Sequence, residues 1–517
     1  MPRFTMFVSF IILMIASSLM AQTVGDYRTR NSGDWSNAQI WERYNGSSWV
    51  PVASAPTGGE TITVLETDSV NVDVLVSVSA SLVNQGIVEG NSNLTFADGG
   101  TYQHDRDGGK IPVSNWDTGS TMLITGVTAV APEDRDQDYY NLTFNTPDML
   151  SNLNMNLNNN TIGGDVHVIE TGLARWYLTS ALATDTSIVT IMGDVIVEAG
   201  TFSVQGTGNA QTTFIVHHYG NIMVTGGNFS ISRGSQAGGT TTWYLYEGNF
   251  SMDNATSQSS TATVDGAKFI FAKAGTQTLT LGAGNTLSAL PIMVNSGTTL
   301  EMGESQLAGS GNFTVEAGAT IMTALAGGVE AIVSGVTATV TLEDESSYGF
   351  NGTTAQNTST RMPATVSDLF INNTAGVTLS QETTINGVLH LMAGVFNNTI
   401  PFTLGPSGTI SYEGGSLLIT GIESNTFNVP ASFFVAQNYP NPFNPTTTIR
   451  FGTPAASQVT AKVFNLLGQE VATLFEGRLQ AGEHELTFDA AKLSSGVYIY
   501  RIQAGDKVSM KRMVLLK

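Results

Sequence analysis

One phrase returns along the middle of the chain: Gly, then Asp or Asn, then apolar, any residue, apolar, and a second Gly. It reads GDVHVIETG from Gly164, GDVIVEAG from Gly193, GNIMVTGG from Gly220 and GNFTVEAG from Gly311. A copy from Gly387, GVLHLMAG, keeps the glycines but carries Val388 in the polar position, and GNFSMDNA from Gly248 lacks the second Gly. The starts at 164, 193, 220 and 248 are separated by 29, 27 and 28 residues. A recurring period of this size marks a repeat architecture, in which each unit buries its apolar face against its neighbours.

Within each phrase the apolar residues alternate, as in Val166/Val168, Val195/Val197, Ile222/Val224 and Phe313/Val315. Alternation at period two means a strand with one buried face, and the flanking glycines permit tight corners. Neither phrase nor spacer carries helical periodicity. Other short strands lie between the phrases, among them YNLTF (140–144), KFIFA (268–272) and SDLFIN (367–372). Two or three short strands per unit predict an all-β chain with a right-handed parallel β-solenoid (β-helix) over 61–427. At about 4.8 Å per coil, about 12 coils give a body on the order of 60 Å long. A string of β-sandwiches would instead need strand groups of about 100 residues with clear linkers, and neither is visible.

The residue after the first Gly is Asp165, Asp194, Asn221, Asn249 and Asn312, which in a solenoid would stack at one corner. Asp and Asn there serve turn geometry and bond neighbouring backbone; the alternative is a Ca²⁺ or sugar site built from carboxylates one coil apart. Residues 22–60, with Trp35, Trp41 and Trp49, suit an N-terminal cap over the open end of such a body. Together with GGETITV (58–64), this opening resembles that of many bacterial surface proteins with β-solenoid passengers. The tryptophans are expected to pack in the cap, the alternative being a stacking platform for sugar rings.

Charged residues make up only 12% of the chain while Gly reaches 55 of 517 residues, a balance that favours turns and strands over helices. The net charge of −21 argues against a nucleic-acid partner, because neutralising phosphate needs clustered Lys and Arg. With no cysteine in the chain, disulfides and thiolate sites are excluded. Residues 1–21 read as a signal peptide: Arg3, the apolar run FVSFIILMIA (7–16) and the small Ala21 before a plausible cut. The apolar run is too short for a comfortable membrane span, so no transmembrane segment is expected in the mature chain.

Near residue 430 the composition changes. Residues 431–517 hold 9 of the 21 Lys and Arg but 6 of the 42 Asp and Glu, and five of the 15 prolines fall between Pro430 and Pro454. Strand signals follow at 446–453, at 458–474 broken by a turn at Gly468, and at 483–490, 496–505 and 507–517, which predict a small antiparallel Ig-like β-sandwich over 428–517. In NYPNPFNP (438–445) the prolines remove amide donors and enforce extended backbone. That segment therefore suits an edge or a lead-in anchored by Phe443. The order NYPNPFNP, VFNLLGQEV (463–471), LSSGVYIYRI (493–502) and KRMVLLK (511–517) closely resembles the C-terminal type A sorting domain of the type IX secretion system. The resemblance implies export from the periplasm across the outer membrane by that machinery, with cleavage before the domain and attachment to surface lipopolysaccharide, or release. It carries Pro440, Asn441, Pro442 and Phe443 for the entry motif, Gly468 for the hairpin, Gly496 and Tyr498 for the late strand, and Lys511 with Lys517 for the basic end.

For the passenger the expectation is a non-enzymatic adhesin or structural module at the cell surface or outside the cell, without a cofactor. The sequence shows no Ser-His-Asp order, zinc spacing or phosphate loop. The alternative is a carbohydrate-active β-helix, a polysaccharide lyase or glycoside hydrolase, which would require a basic proton acceptor or two carboxylates facing one cleft. HDRDGG (104–109) and EDRDQD (133–138) alternate carboxylates as Ca²⁺ loops do but complete no Ca²⁺-binding pattern, and are expected to be solvated loops. His217 and His218 are expected at the surface.

Overall fold

Strand alternation fixes which side chains point inward, and stacking decides how deeply they are buried. The computed structural model describes residues 22–90, 92–179, 186–205, 213–232, 240–257, 266–282, 285, 287, 289–418, 432–479 and 481–517. The expected signal peptide, 1–21, and the boundary placed at 427/428 lie outside the described residues. The chain divides into two compact units, up to Thr420 and from Gly421 onward.

The first unit is a parallel β-solenoid of about 14 turns, where the sequence suggested about 12. Each strand pairs in parallel with its counterpart one turn away. Along one face the ladder runs through Thr61–Val64, Ser81–Asn84, Thr101–His104, Thr121–Ile124, Asn141–Asn145, Val166–Glu170, Val195–Val197, Ile222–Val224 and Phe250–Met252 to Gly275–Leu281. Its inward column begins at Ile62, Leu82, Tyr102 and Met122 and ends at Ile222, Phe250 and Leu279, with no exposed surface on any of these residues. Full burial of each such side chain is worth about 1.5–3 kcal/mol, so the column itself is a principal source of cohesion. A second face stacks Thr186–Ile191, Thr213–His218, Thr240–Leu245, Ala267–Phe271, Ile292–Val294 and Phe313–Val315. A third face in the middle coils stacks Trp176–Thr179, Thr201–Gln205 and Asn228–Ser232.

The coil length differs from the expected single unit of about 28 residues. Thr61, Ser81, Thr101, Thr121 and Asn141 align in register, a step of 20 residues, and Leu369 aligns with Leu389, again 20. Only the middle coils take the longer step, as between Val166, Val195, Ile222 and Phe250. The short coils escaped the sequence because they lack the Gly-Asp phrase. One short helix, Gly328–Val333, is inserted between strands.

At the N-terminal end, Tyr27–Thr29 pairs antiparallel with Trp41–Tyr44, which pairs antiparallel with Trp49–Pro51, while Tyr27–Thr29 also joins the first parallel strand. This reversal ends the ladder with a hairpin rather than a bare edge. Trp35 and Trp41 are buried edge to face at 5.1 Å. Their indole N–H groups donate to the carbonyls of Pro56 and Trp35 at 3.0 and 2.9 Å. Trp49 lies under the Arg28 guanidinium at 4.4 Å, so all three tryptophans are engaged within the chain.

The second unit is antiparallel. Phe434–Val435, Thr446–Thr453 and Gly482–Asp489 form one sheet. Glu470–Leu479, Ser457–Asn465, Gly496–Ala504 and Lys507–Leu515 form the other. Ile449, Phe451, Val459, Val463, Tyr500 and Met513 fill the core.

Candidate functional site

Two places combine polar side chains with defined geometry: the Gly-Asp/Asn corner of the solenoid and the proline segment of the tail. At the corner each carboxylate or amide oxygen accepts from the backbone one coil on. Asn141 Oδ1 accepts from the Asp165 amide at 2.9 Å, Asp165 Oδ1 from the Asp194 amide at 2.7 Å, and Asp194 Oδ1 from the Asn221 amide at 2.7 Å. Asn221 Oδ1 then accepts from the Asn249 amide at 3.0 Å and Asn249 Oδ1 from Thr278 at 2.8 Å. The acidic corner is thus a hydrogen-bonded ladder that satisfies amides turned away from the sheet. Gly193, Gly220 and Gly248 sit beside it with the preceding coil so close that an added Cβ would overlap backbone atoms.

Asn312 does not belong to this column. Its phrase lies on the second face, where Phe313 pairs with Ile292 and Val340, and its Oδ1 accepts from Thr339 at 3.2 Å. Similar local sequence was placed on a different side because the intervening coils changed length. Conversely, Asp368 takes the role that Val388 could not, its Oδ1 accepting from the Val388 amide at 2.6 Å.

The two acidic stretches are clamps rather than solvated loops. Asp107 Oδ1 accepts from the amides of Thr128, Ala129 and Val130 at 2.9, 2.8 and 2.8 Å. These bonds hold its carboxyl below the usual range against the opposing effect of burial. Arg135 reaches the carbonyls of Asn154 and Pro132, and Lys110 pairs with Glu133 at 3.3 Å. His104 is buried against the Gly108 carbonyl at 2.8 Å, and burial lowers its pKa to about 4. His218 is likewise buried, on the Gly193 carbonyl at 2.8 Å, with its pKa lowered to about 4, which corrects its expected surface position. His217, its neighbour, points outward. Among the described residues no group of three or more His, Asp or Glu side chains is placed to hold a metal ion.

In the tail the structure brings the motif residues to one end of the four-stranded sheet. The segment around Pro440, Asn441, Pro442 and Phe443, with cis bonds before both prolines, lies along the outer edge of the last strand. The Phe443 amide donates to the Val514 carbonyl at 2.9 Å and its carbonyl accepts from Leu516 at 3.0 Å. Asn441 Oδ1 accepts from the Val514 amide at 2.8 Å. The Phe443 ring, 2% exposed, packs 6.0 Å from Phe488. Missing donors at the prolines thus fall where no ladder partner is needed.

Gly468, at φ +79°, closes the hairpin between Ser457–Asn465 and Glu470–Leu479. Gly496 begins the penultimate strand, and the Tyr498 hydroxyl donates to the Ser494 carbonyl at 2.8 Å. Lys511 faces Tyr500 across the last pair of strands. Lys517 Nζ donates to the Ala491 carbonyl at 2.6 Å, so the basic end is tied back to the domain.

Sequence reasoning passed over the group that positions the proline segment. The Tyr500 hydroxyl accepts from the Asn438 amide at 3.0 Å and donates to the Ala436 carbonyl at 2.7 Å. Asn438, 2% exposed, donates through its amide to the Pro440 carbonyl and the Thr447 hydroxyl. Burial pushes the Tyr500 phenol up to about 12. An Asn opening a proline run, with a Tyr at an inward strand position, was the available signal.

Among the described residues no helix is long and apolar enough to cross a membrane. No curated protein and no solved structure matches the chain significantly. Residues 437–516 match the family described as the secretion system C-terminal sorting domain. Carrying that type IX sorting tail behind a β-solenoid, the protein is one directed to the cell surface or the extracellular space.

Proposed function

We propose that the solenoid, residues 61–418, serves as a non-enzymatic adhesive or structural module once exported, making its contacts with surface lipopolysaccharide or extracellular polysaccharide. The observation that carries this reading is an aromatic cluster on the outer side of the second face, over a solid interior. Tyr219 stacks on Tyr246 at 5.3 Å and Tyr246 on Tyr244 at 5.7 Å, with His217 edge-on to Tyr246 at 5.4 Å. Rings held on adjacent coils offer C–H and hydroxyl contacts at low entropic cost. The corner carboxylates, in contrast, are engaged by neighbouring backbone rather than aimed at a cleft.

The test is a binding and turnover screen of the chain from residue 22 onward against acidic and neutral polysaccharides, with and without Ca²⁺, following new reducing or unsaturated ends. Binding without turnover that is lost in a Tyr244→Ala/Tyr246→Ala variant supports the reading. New ends abolished by one Asp, Glu, Arg or Lys substitution would replace it with a carbohydrate-active enzyme.

A further inference from the structure

The tail hairpin carries its two most exposed leucines at a turn that is held rigid. Leu466 and Leu467 are 69% and 85% exposed, although the strands on either side place their apolar residues inward. Asn465 fixes the turn: its Oδ1 accepts from the amides of Leu467 and Gln469, each at 3.0 Å, and its Nδ2 donates to Gln469 Oε1 at 2.8 Å. Gly468 supplies the positive φ. A solvent-facing hairpin tip ordinarily takes Asn, Asp, Gly or Ser, so a clamped Leu pair presented to water calls for a partner.

The register places that tip beside the other motif residues. Asn465 pairs with Tyr498, Tyr498 with Met513, and Gly496 with Leu515, while Phe443 bonds Val514 and Leu516. Leu516, 54% exposed, therefore lies at the same end of the sheet as the hairpin tip. The exposed Arg512 and Lys517 and the half-exposed Lys511 stand along the same last strand.

We propose that the Leu466–Leu467 tip, with Leu516, is the knob by which the tail docks into an apolar pocket with an acidic rim on a protein of the export machinery. The apolar side chains supply affinity and the surrounding cations supply steering and register. This rests on the tail being a sorting domain, and it adds which surface is read.

The experiment expresses the full chain in a strain with an active type IX system and measures the surface-plus-medium fraction against the periplasmic fraction. Leu466→Ser/Leu467→Ser is expected to lower the exported fraction at least about tenfold, with a protease-resistant tail accumulating in the periplasm. Leu466→Met/Leu467→Met is expected to export as the parent does. Wild-type export of the Ser variant overturns the proposal, as does equal failure of the Met variant, which would assign the effect to turn geometry. A Ser variant whose tail loses protease resistance also overturns it, because the leucines would then be structural. A chain ending at residue 431 separates the premises: if it is exported normally, the sorting reading itself fails.

Discussion

Replacing Gly220 by Ala tests whether the glycine corner is what lets successive coils approach. An added Cβ would overlap the Gly193 carbonyl group and stand 2.6 Å from the Asp194 amide nitrogen. Reaching van der Waals contact requires the two coils to part locally by roughly an ångström. Two bonds cross that gap: Asn221 N–H to Asp194 Oδ1 at 2.7 Å and Val195 N–H to the Asn221 carbonyl at 2.8 Å. Stretched to about 3.7 Å, both leave hydrogen-bond range. Their loss costs about 1 kcal/mol each, and overpacking adds about 1–3 kcal/mol, so about 3–5 kcal/mol is expected. Because a stacked repeat body need not unfold in one step, the readout is amide hydrogen exchange across residues 193–224. Each 1.4 kcal/mol is about tenfold in protection, so protection there should fall by about two orders of magnitude or more. Gly59→Ala is the control: its backbone is not left-handed and the nearest atom to an added Cβ is 4.0 Å away, so it should be neutral or slightly stabilising. Protection in Gly220→Ala unchanged within about 0.5 kcal/mol would refute the close-approach argument.

Asp194→Asn keeps the acceptor for the Asn221 amide and should leave thermal stability near the parent's, whereas Asp194→Ala should cost about 1–2 kcal/mol; if a chelator lowers the melting temperature of the parent but not of the Asn variant, the corner holds a cation instead. Phe443→Ala empties a buried position against Phe488 and should destabilise the tail by about 3–5 kcal/mol, read by urea unfolding. His104 and His218 are neutral in the fold down to about pH 4. An unfolded chain protonates them near 6.5 and so binds more protons. Solenoid stability should therefore fall as pH drops from about 6.5 towards 4, and urea midpoints flat over that window would contradict their burial. For Tyr500 the sign reverses: its phenol ionises near 10 unfolded and about 12 folded, so its contribution to the tail is full below pH 10 and lost between about 10 and 12. Tyr500→Phe should remove that alkaline limb.

The tail was legible almost strand for strand, because its turns are marked by Gly and Pro and its strands by alternation; Thr446–Thr453 and Gly496–Ala504 fall where the residues place them. The parallel solenoid was legible in class for a similar reason. Val166/Val168, Val195/Val197 and Ile222/Val224 each declare a one-sided strand, and repetition declares the stack. What escaped was any feature that depends on which coil meets which. Asn312 looks like Asn249 in sequence but lies on another face, and Asp368 completes a corner that Val388 seemed to break.

Local residue chemistry by itself determined the strands, the tight corners and the export address, since each is encoded within a few neighbouring positions. Tertiary stacking decided the rest. It set a 20-residue step where no phrase repeats, turned acidic residues into backbone acceptors, and gathered residues from 438 to 516 at one end of a sheet. Those outcomes follow from register between segments far apart in the chain, and register is fixed by the coils packed between them.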